Sequence, residues 1–169
     1  MRKTLDTLYN TSAWIAAIFM ILLLIMVLLS ILGRQFGFHV RGTDAYAGYM
    51  MAGAGFFALA HTLKRGEHIR VTLLLSALSP SLRRQLEIFS LAAAVLLSGL
   101  LAWFSIQLAV QSYTIHDIST SNDATPLWIP QLAMALGTTI LLIAFVDELI
   151  GEIRGTRKVA SGDESLRNE

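Results

Sequence analysis

Few side chains in this sequence have the type and spacing to carry out chemistry, and most of them lie near the ends of long apolar segments. His61 is the one residue inside such a segment that could carry a positive charge, and it lies about one helical turn from Lys64 and Arg65. A membrane haem ordinarily needs paired histidines on facing helices, and no second apolar segment contains a histidine. We therefore interpret His61 as a structural residue at a helix end.

His116, Asp117 and Asp123 could be drawn as metal ligands, but their irregular spacing in a segment rich in Ser, Thr, Asn and Asp favours a solvated surface. The chain has no cysteine, which removes disulfides, thiolate metal sites and thiol redox chemistry. The apolar segments also lack the deep acidic residue that marks an ion path in proton-coupled exporters. With no phosphate-binding glycine loop and no nucleophile–base set, we expect no catalytic residue, cofactor or resident metal.

The elements that carry these residues are four stretches without any Lys, Arg, Asp or Glu: Thr7–Gly33, Ala45–Leu63, Ile88–Ile115 and Ala124–Val146. Each is long enough to cross a hydrocarbon core about 30 Å thick. The composition agrees, with 54% hydrophobic and 15% charged residues among 169. The sequence thus predicts an all-α membrane protein with four transmembrane helices, at about residues 12–33, 44–63, 86–111 and 127–148.

Basic residues divide unequally between the segments that connect these stretches. They concentrate before the first stretch, between the second and third, and after the fourth: Arg2, Lys3, Lys64, Arg65, Arg70, Arg83, Arg84, Arg154, Arg157, Lys158 and Arg167. The positive-inside rule therefore predicts that both termini of this multi-pass protein are cytoplasmic. The first stretch is too long for a signal peptide. The net charge of +1 gives no reason to expect a nucleic-acid partner.

Several side chains are expected at the membrane surface. An amphipathic segment at about residues 68–78 is too short to span and predicts an interfacial helix held by His68 and Arg70. Ser79 and Pro80 then predict an N-cap and first turn of a new helix that could continue well past Val110. The remaining interfacial anchors are Arg83, Arg84, Trp14 and Trp128, with membrane lipids as partners. Residues 1–154 form one domain in this interpretation, and residues 155–169 a disordered tail.

Small residues recur at helical spacing and predict close helix packing, because lipid supplies little hydrophobic drive between helices. The candidate packing residues are Gly48, Ala52, Gly55, Ala94, Ser98, Ala102 and Gly137. Two interpretations stay open for the first three: contact with this chain's own helices, or contact with another subunit.

Two segments carry a resemblance to a known family. Residues 64–75, Lys-Arg-Gly-Glu-His-Ile-Arg-Val-Thr-Leu-Leu-Leu, and residues 78–84, Leu-Ser-Pro-Ser-Leu-Arg-Arg, resemble the signature of the small membrane subunit, DctQ type, of tripartite ATP-independent periplasmic (TRAP) transporters. Residues 125–131, Thr-Pro-Leu-Trp-Ile-Pro-Gln, with Gly137 beyond them, are similar to the start of that family's fourth helix. The resemblance covers about residues 8–155.

The resemblance implies a non-catalytic subunit of a secondary transporter that is driven by an ion gradient, typically of sodium, and takes up organic acids. Its partners would be a large many-helix membrane subunit that carries the substrate and sodium sites, and a periplasmic substrate-binding protein. This chain would brace the large subunit, and its outer surface would be a candidate docking surface for the binding protein.

Two other classes remain as alternatives. A self-contained homo-oligomeric transporter or channel would need Gln107, Gln111, Gln131 and His61 to line a polar path, although these residues lie near helix ends. A membrane anchor of a redox enzyme would need a haem ligand pair or a quinone site.

Overall fold

The computed structural model describes residues 2–38, 40–65, 79–121 and 123–155. Within these ranges the chain forms four helices: α1 (Arg2–Phe36), α2 (Thr43–Lys64), α3 (Pro80–Thr114) and α4 (Trp128–Ile153). The only extended pairing in the described part is an isolated antiparallel bridge between Ile118 and Pro126. The predicted all-helical class is confirmed. The predicted interfacial helix at 68–78 and the tail beyond residue 155 lie outside the described residues.

The helices pack as a row in the order α1, α2, α4, α3, with only slight contact between α1 and α4. Tyr9 of α1, Lys64 of α2 and Asp147 of α4 meet at one end of the row, which also holds the start of α3. We call it the terminal end, because the first and last described residues lie there. The opposite end, formed by the α1–α2 and α3–α4 connections, is the loop end. A row leaves two broad sides of each inner helix exposed unless a partner or lipid covers them.

Contact between α1 and α2 depends on a polar hydrogen bond and a ring stack. The buried Ser12 hydroxyl donates to the backbone carbonyl of Phe57, and Phe57 stacks on Phe19 with ring centroids 5.9 Å apart. A Cβ at Gly53 would lie 3.0 Å from the Phe19 ring, so glycine permits this close approach.

Contact between α2 and α4 is closest at Gly137, where an added Cβ would lie 2.7 Å from backbone and side-chain carbons of Phe56. Toward the terminal end the same two helices meet α1 in a buried cluster of Tyr9, Ala60, Leu63, Leu141 and Ala144. Small residues at this interface bring the two backbones close together, which increases dispersion contacts in the absence of a hydrophobic drive.

Contact between α3 and α4 follows a buried stripe of small residues on α3, namely Ser98, Ala102, Ser105, Ala109 and Ser112. Both ends of this pair are fastened. At the terminal end an Nη of Arg84 donates to the carbonyl of Ile153 at 3.1 Å, which satisfies an orphan carbonyl at the end of α4. At the loop end the rings of Tyr113 and Trp128 meet edge to face, with centroids 5.6 Å apart.

Helix α3 begins where the sequence predicted, with extended Ser79 before Pro80 in the first turn, although the Ser79 side chain makes no capping hydrogen bond. It continues to Thr114, so its predicted extension past Val110 is confirmed. At about 1.5 Å per residue, the 35 residues of α3 and of α1 are each about 52 Å long, more than a bilayer core requires.

Three of the four helices are long and apolar enough to cross a membrane: Lys3–Phe36, Ser81–Thr114 and Trp128–Ile153. Helix α2 is not among them. Its 22 residues, at about 1.5 Å each, are long enough, but its glycines and tyrosines, together with His61 and Thr62, lower its hydropathy. Those same small residues let α2 lie between two other helices, because a helix packed on both flanks needs close approach more than lipid solubility.

Candidate functional site: an open helix face between two polar clusters

The first candidate is an exposed face on α2, formed by Gly48, Met51, Ala52 and Gly55, which we call the open face. All four residues are exposed, and Met51 is 68% exposed. A Cβ added at Gly48 or Gly55 would meet nothing within 4 Å. Three of these residues were predicted to pack closely, yet no described helix of this chain covers them.

The other predicted packing residues lie inside the row. Gly137 is buried against Phe56, and Ser98 and Ala102 are buried on the side of α3 that meets α4, with Ala94 half-buried on the same stripe. The sequence pattern is thus the same on α2 and α3, but only the α3 stripe has a partner within the described chain.

The second feature is a charged cluster at the terminal end, the lysine cluster, formed by Lys64, Asp147, Glu148 and Tyr9. The Lys64 ammonium pairs with the Asp147 carboxylate and lies 3.0 Å from Glu148 Oε1. It also lies 5.3 Å from the centroid of the Tyr9 ring. Lys64 is the last residue of α2, and the two acidic residues lie in α4. The cluster therefore fixes the axial position of α2 relative to α4.

The lysine cluster was not predicted from the sequence, although the sequence contains a signal for it. Lys64 is the first charged residue after the second apolar stretch, and Asp147 and Glu148 are the first after the fourth. Two spans that run in the same direction place such residues at the same membrane boundary. The buried Tyr9 hydroxyl beside them has no hydrogen-bond partner among the described residues.

The third feature is at the loop end, where the α3–α4 connection is tied to α2 by the aspartate cluster of Asp123, Ser119, Tyr49, Thr125 and Tyr46. The Asp123 carboxylate accepts from Ser119 Oγ at 2.8 Å and from the Tyr49 hydroxyl at 3.2 Å. Thr125 Oγ1 and the Tyr46 hydroxyl form a hydrogen bond at 3.2 Å. Tyr46 and Tyr49 also meet edge to face. These bonds give the connection a defined surface.

Electrostatics of the aspartate cluster favour a charged carboxylate. Hydrogen bonding from Thr125 is the largest influence and lowers the pKa of Asp123 below its ordinary value. Desolvation is the next largest and opposes this shift, while hydrogen bonds from Ser119 and Tyr49 lower the pKa further. Gly42 has φ +79° and packs against this residue, since an added Cβ would lie 2.8 Å from Asp123 Cβ. No three metal-ligating side chains gather within the described ranges, which include His116, Asp117 and Asp123.

The predicted interfacial anchors have different environments. Trp14 is 73% exposed on α1, whereas Trp128 packs on Tyr113. Arg83 pairs with Glu87 at 3.2 Å, and Arg84 caps α4 as described above. The predicted anchors His68 and Arg70 lie outside the described residues.

The residues that a self-contained channel would need do not converge within the described chain. Gln107 and Gln111 lie exposed on α3 toward the loop end, while His61 lies toward the terminal end of α2. Gln131, in the first turns of α4, has a buried side-chain oxygen without a hydrogen-bond partner in the described ranges. The described part of the chain offers surfaces for association and no continuous polar path.

The chain matches known proteins of the same family that its sequence motifs resemble. A family model described as tripartite ATP-independent periplasmic transporters, DctQ component, matches residues 23–155. The chain is also similar to the C4-dicarboxylate TRAP transporter small permease protein DctQ of Rhodobacter capsulatus, with 27% identity over 99 residues. That stretch covers 58% of this chain and 43% of the relative, so less than half of the relative's length is matched.

Proposed function

Because the chain belongs to the DctQ component family of TRAP transporters, we propose that it is a small membrane subunit that braces a larger transport subunit in the bacterial inner membrane. DctQ components are parts of transporters and not enzymes. This agrees with a chain whose apolar stretches contain no Lys, Arg, Asp or Glu. A static scaffold needs packing surfaces, whereas a transport pathway needs polar ligands at membrane depth.

The observation that carries the scaffold role is the open face on α2. Small side chains at Gly48, Ala52 and Gly55 would let a partner helix approach the α2 backbone closely, which is how helices associate in lipid. The exposed Met51 beside them is flexible and adapts to an irregular partner surface. We assign the open face to the large subunit.

In the proposed topology α2 crosses the membrane with the other three helices, and its 22 residues span about 33 Å. The terminal end, rich in basic residues, is cytoplasmic, and the loop end is periplasmic. The aspartate cluster then gives the periplasmic surface a fixed shape against which a substrate-binding protein could dock.

The transported substrate is proposed to be an organic acid, since the relative from Rhodobacter capsulatus is named for C4-dicarboxylates. Coupling to sodium and recognition of the substrate are assigned to the large subunit and the binding protein. Neither the open face nor the two polar clusters offers a set of ligands at membrane depth.

Co-purification tests the scaffold role. In mild detergent a tag on this chain should retain the large subunit, identified by mass spectrometry, and Gly48→Leu should lose that subunit while the chain stays folded. Gly137→Leu is the matched control, because it should disturb the chain's own α2–α4 contact. If Gly48→Leu retains the large subunit as wild type does, the open face is not the interface.

Reconstitution in liposomes tests whether this chain transports substrate without the large subunit. Liposomes that contain this chain alone, under a sodium gradient and with a C4-dicarboxylate outside, should show no uptake. Liposomes that also contain the large subunit, with binding protein added, should show uptake. Uptake by this chain alone would refute the scaffold role and favour a self-contained transporter.

A further inference from the structure

A cleft of about 360 Å³ lies at the loop end, between the last turns of α1 and the first turn of α2. Its volume falls within the range of about 300–1,000 Å³ typical of small-molecule sites. Ser30, Arg34 and Asp44 form a polar wall, and Leu29, Phe38 and Val40 form an apolar wall. The cleft is separate from the open face and from both polar clusters.

The polar wall holds two opposite charges that do not neutralise each other. Ser30 Oγ donates to Asp44 Oδ1 at 3.2 Å, and Arg34 Nε donates to the Ser30 carbonyl at 3.4 Å. Arg34 and Asp44 form no ion pair within the described residues. Among the described residues, both Nη groups of Arg34 and the second oxygen of Asp44 therefore have no partner and are free to meet a ligand.

The start of α2 adds to the attraction for an anion. Gly42, in the left-handed region, precedes the helix and provides no side-chain cap, and Thr43 and Asp44 line the cleft. First-turn N–H groups without intrahelical partners favour negative charge. A phosphate beside the Arg34 guanidinium would thus also lie near a helix N-terminus, whose positive potential it would share with the Asp44 carboxylate of the same turn. That carboxylate in turn favours a cation beside the phosphate.

The apolar wall is open to the surroundings of the protein. Phe38 is 45% exposed and Val40 is 40% exposed. Arg34 directly follows the first charge-free stretch and Asp44 directly precedes the second, so the cleft lies at the hydrocarbon boundary of the proposed topology. A ligand that suits it carries an anion, a nearby cation and an apolar tail.

We propose that this cleft binds the headgroup of a phospholipid whose only charged groups are a phosphate and a primary ammonium, that is, phosphatidylethanolamine. The phosphate lies against Arg34 and the first turn of α2, the ammonium donates to Asp44, and the acyl chains follow the apolar wall. Phosphatidylcholine has no N–H to donate to Asp44, and phosphatidylglycerol has no cation to balance it. The proposal depends on the membrane topology but not on the transport role.

Native mass spectrometry of the delipidated full chain, in detergent with equimolar phosphatidylethanolamine, phosphatidylcholine and phosphatidylglycerol, tests the proposal. Adducts of phosphatidylethanolamine should exceed the other two by about three- to tenfold, the scale of one partly exposed hydrogen bond to a charged group. Asp44→Asn should abolish the preference over phosphatidylcholine. Arg34→Gln should weaken binding of all three lipids.

Arg41→Gln is the matched control, since it removes the same charge nearby, in the α1–α2 connection, at a residue that does not line the cleft. It should leave the lipid preference unchanged, with helicity of all variants checked by circular dichroism. Equal adducts of the three lipids on the wild-type chain, or an equal loss in Arg41→Gln and Arg34→Gln, would overturn the site. Free phosphoethanolamine that binds as tightly as the lipid would also overturn it. None of these outcomes alters the co-purification result, so the two proposals fail separately.

Discussion

Replacing Gly137 by alanine should loosen the contact between α2 and α4, because there is no room for one methyl group. The added Cβ would lie 2.7 Å from Phe56, about 0.7 Å short of the 3.4 Å at which ordinary contact begins. The atoms it meets include the carbonyl carbon and oxygen of Phe56, which cannot rotate away as a side chain would. The helices must therefore move apart.

The cost follows from the displacement. A radial gap of about 0.5–1 Å forfeits roughly a quarter to a half of each dispersion contact across the interface. Overpacking of this kind costs about 1–3 kcal/mol of unfolding free energy. Gly55→Ala, on the open face, is the matched control because it gains the same helix propensity but meets nothing within 4 Å. The difference between the two variants isolates the steric clash.

Unfolding of the purified chain by sodium dodecyl sulfate in mixed micelles, followed by far-ultraviolet circular dichroism, measures this difference. Gly137→Ala should unfold at a lower detergent fraction than wild type, and Gly55→Ala should unfold at the same fraction or a higher one. Equal stability of the two variants would show that α2 and α4 are not in backbone contact at Phe56 and would refute the helix row.

Three further predictions concern the polar clusters and the topology. Lys64→Met should lower the free energy of unfolding in the same assay by about 1–3 kcal/mol, because two partly buried carboxylates lose their cation. Arg65→Met, at an exposed residue, should not lower it. Equal effects of the two substitutions would contradict a structural role of the lysine cluster. The pKa of Asp123 in the folded protein lies below its ordinary 3.8. The Asp123 carboxylate should therefore stabilise the fold fully above pH 3.8, and this stabilisation should be lost as the pH falls through the pKa of the folded state. Hydrogen exchange around Ser119 should then be slower in wild type than in Asp123→Asn above that pH and should converge below it; a difference that persisted in stronger acid would contradict the carboxylate's role. Single cysteines at Arg41 and Ser121 should react with an impermeant thiol reagent in intact cells, and one at Ser79 should react only after lysis; the reverse pattern would invert the proposed orientation.

Several properties of this protein follow from local sequence alone. Charge-free stretches of about twenty residues predict helices because only an internally hydrogen-bonded backbone is stable in lipid. The start of α3 at Ser79 and Pro80 follows from proline's fixed φ and missing N–H. The segments around Lys64 and Trp128 also indicate the family through the types and order of their residues.

Tertiary structure decided which faces meet. Gly48, Ala52 and Gly55 have the same helical spacing as the buried small residues of α3, yet only the α3 residues are covered within the described chain. Helical periodicity identifies a face but not its neighbour, because apolar faces in lipid differ little in solvation and the choice depends on steric fit between particular backbones. The pairing of Lys64 with Asp147 and Glu148, 83 and 84 residues away, likewise required α2 and α4 to run side by side in the same direction.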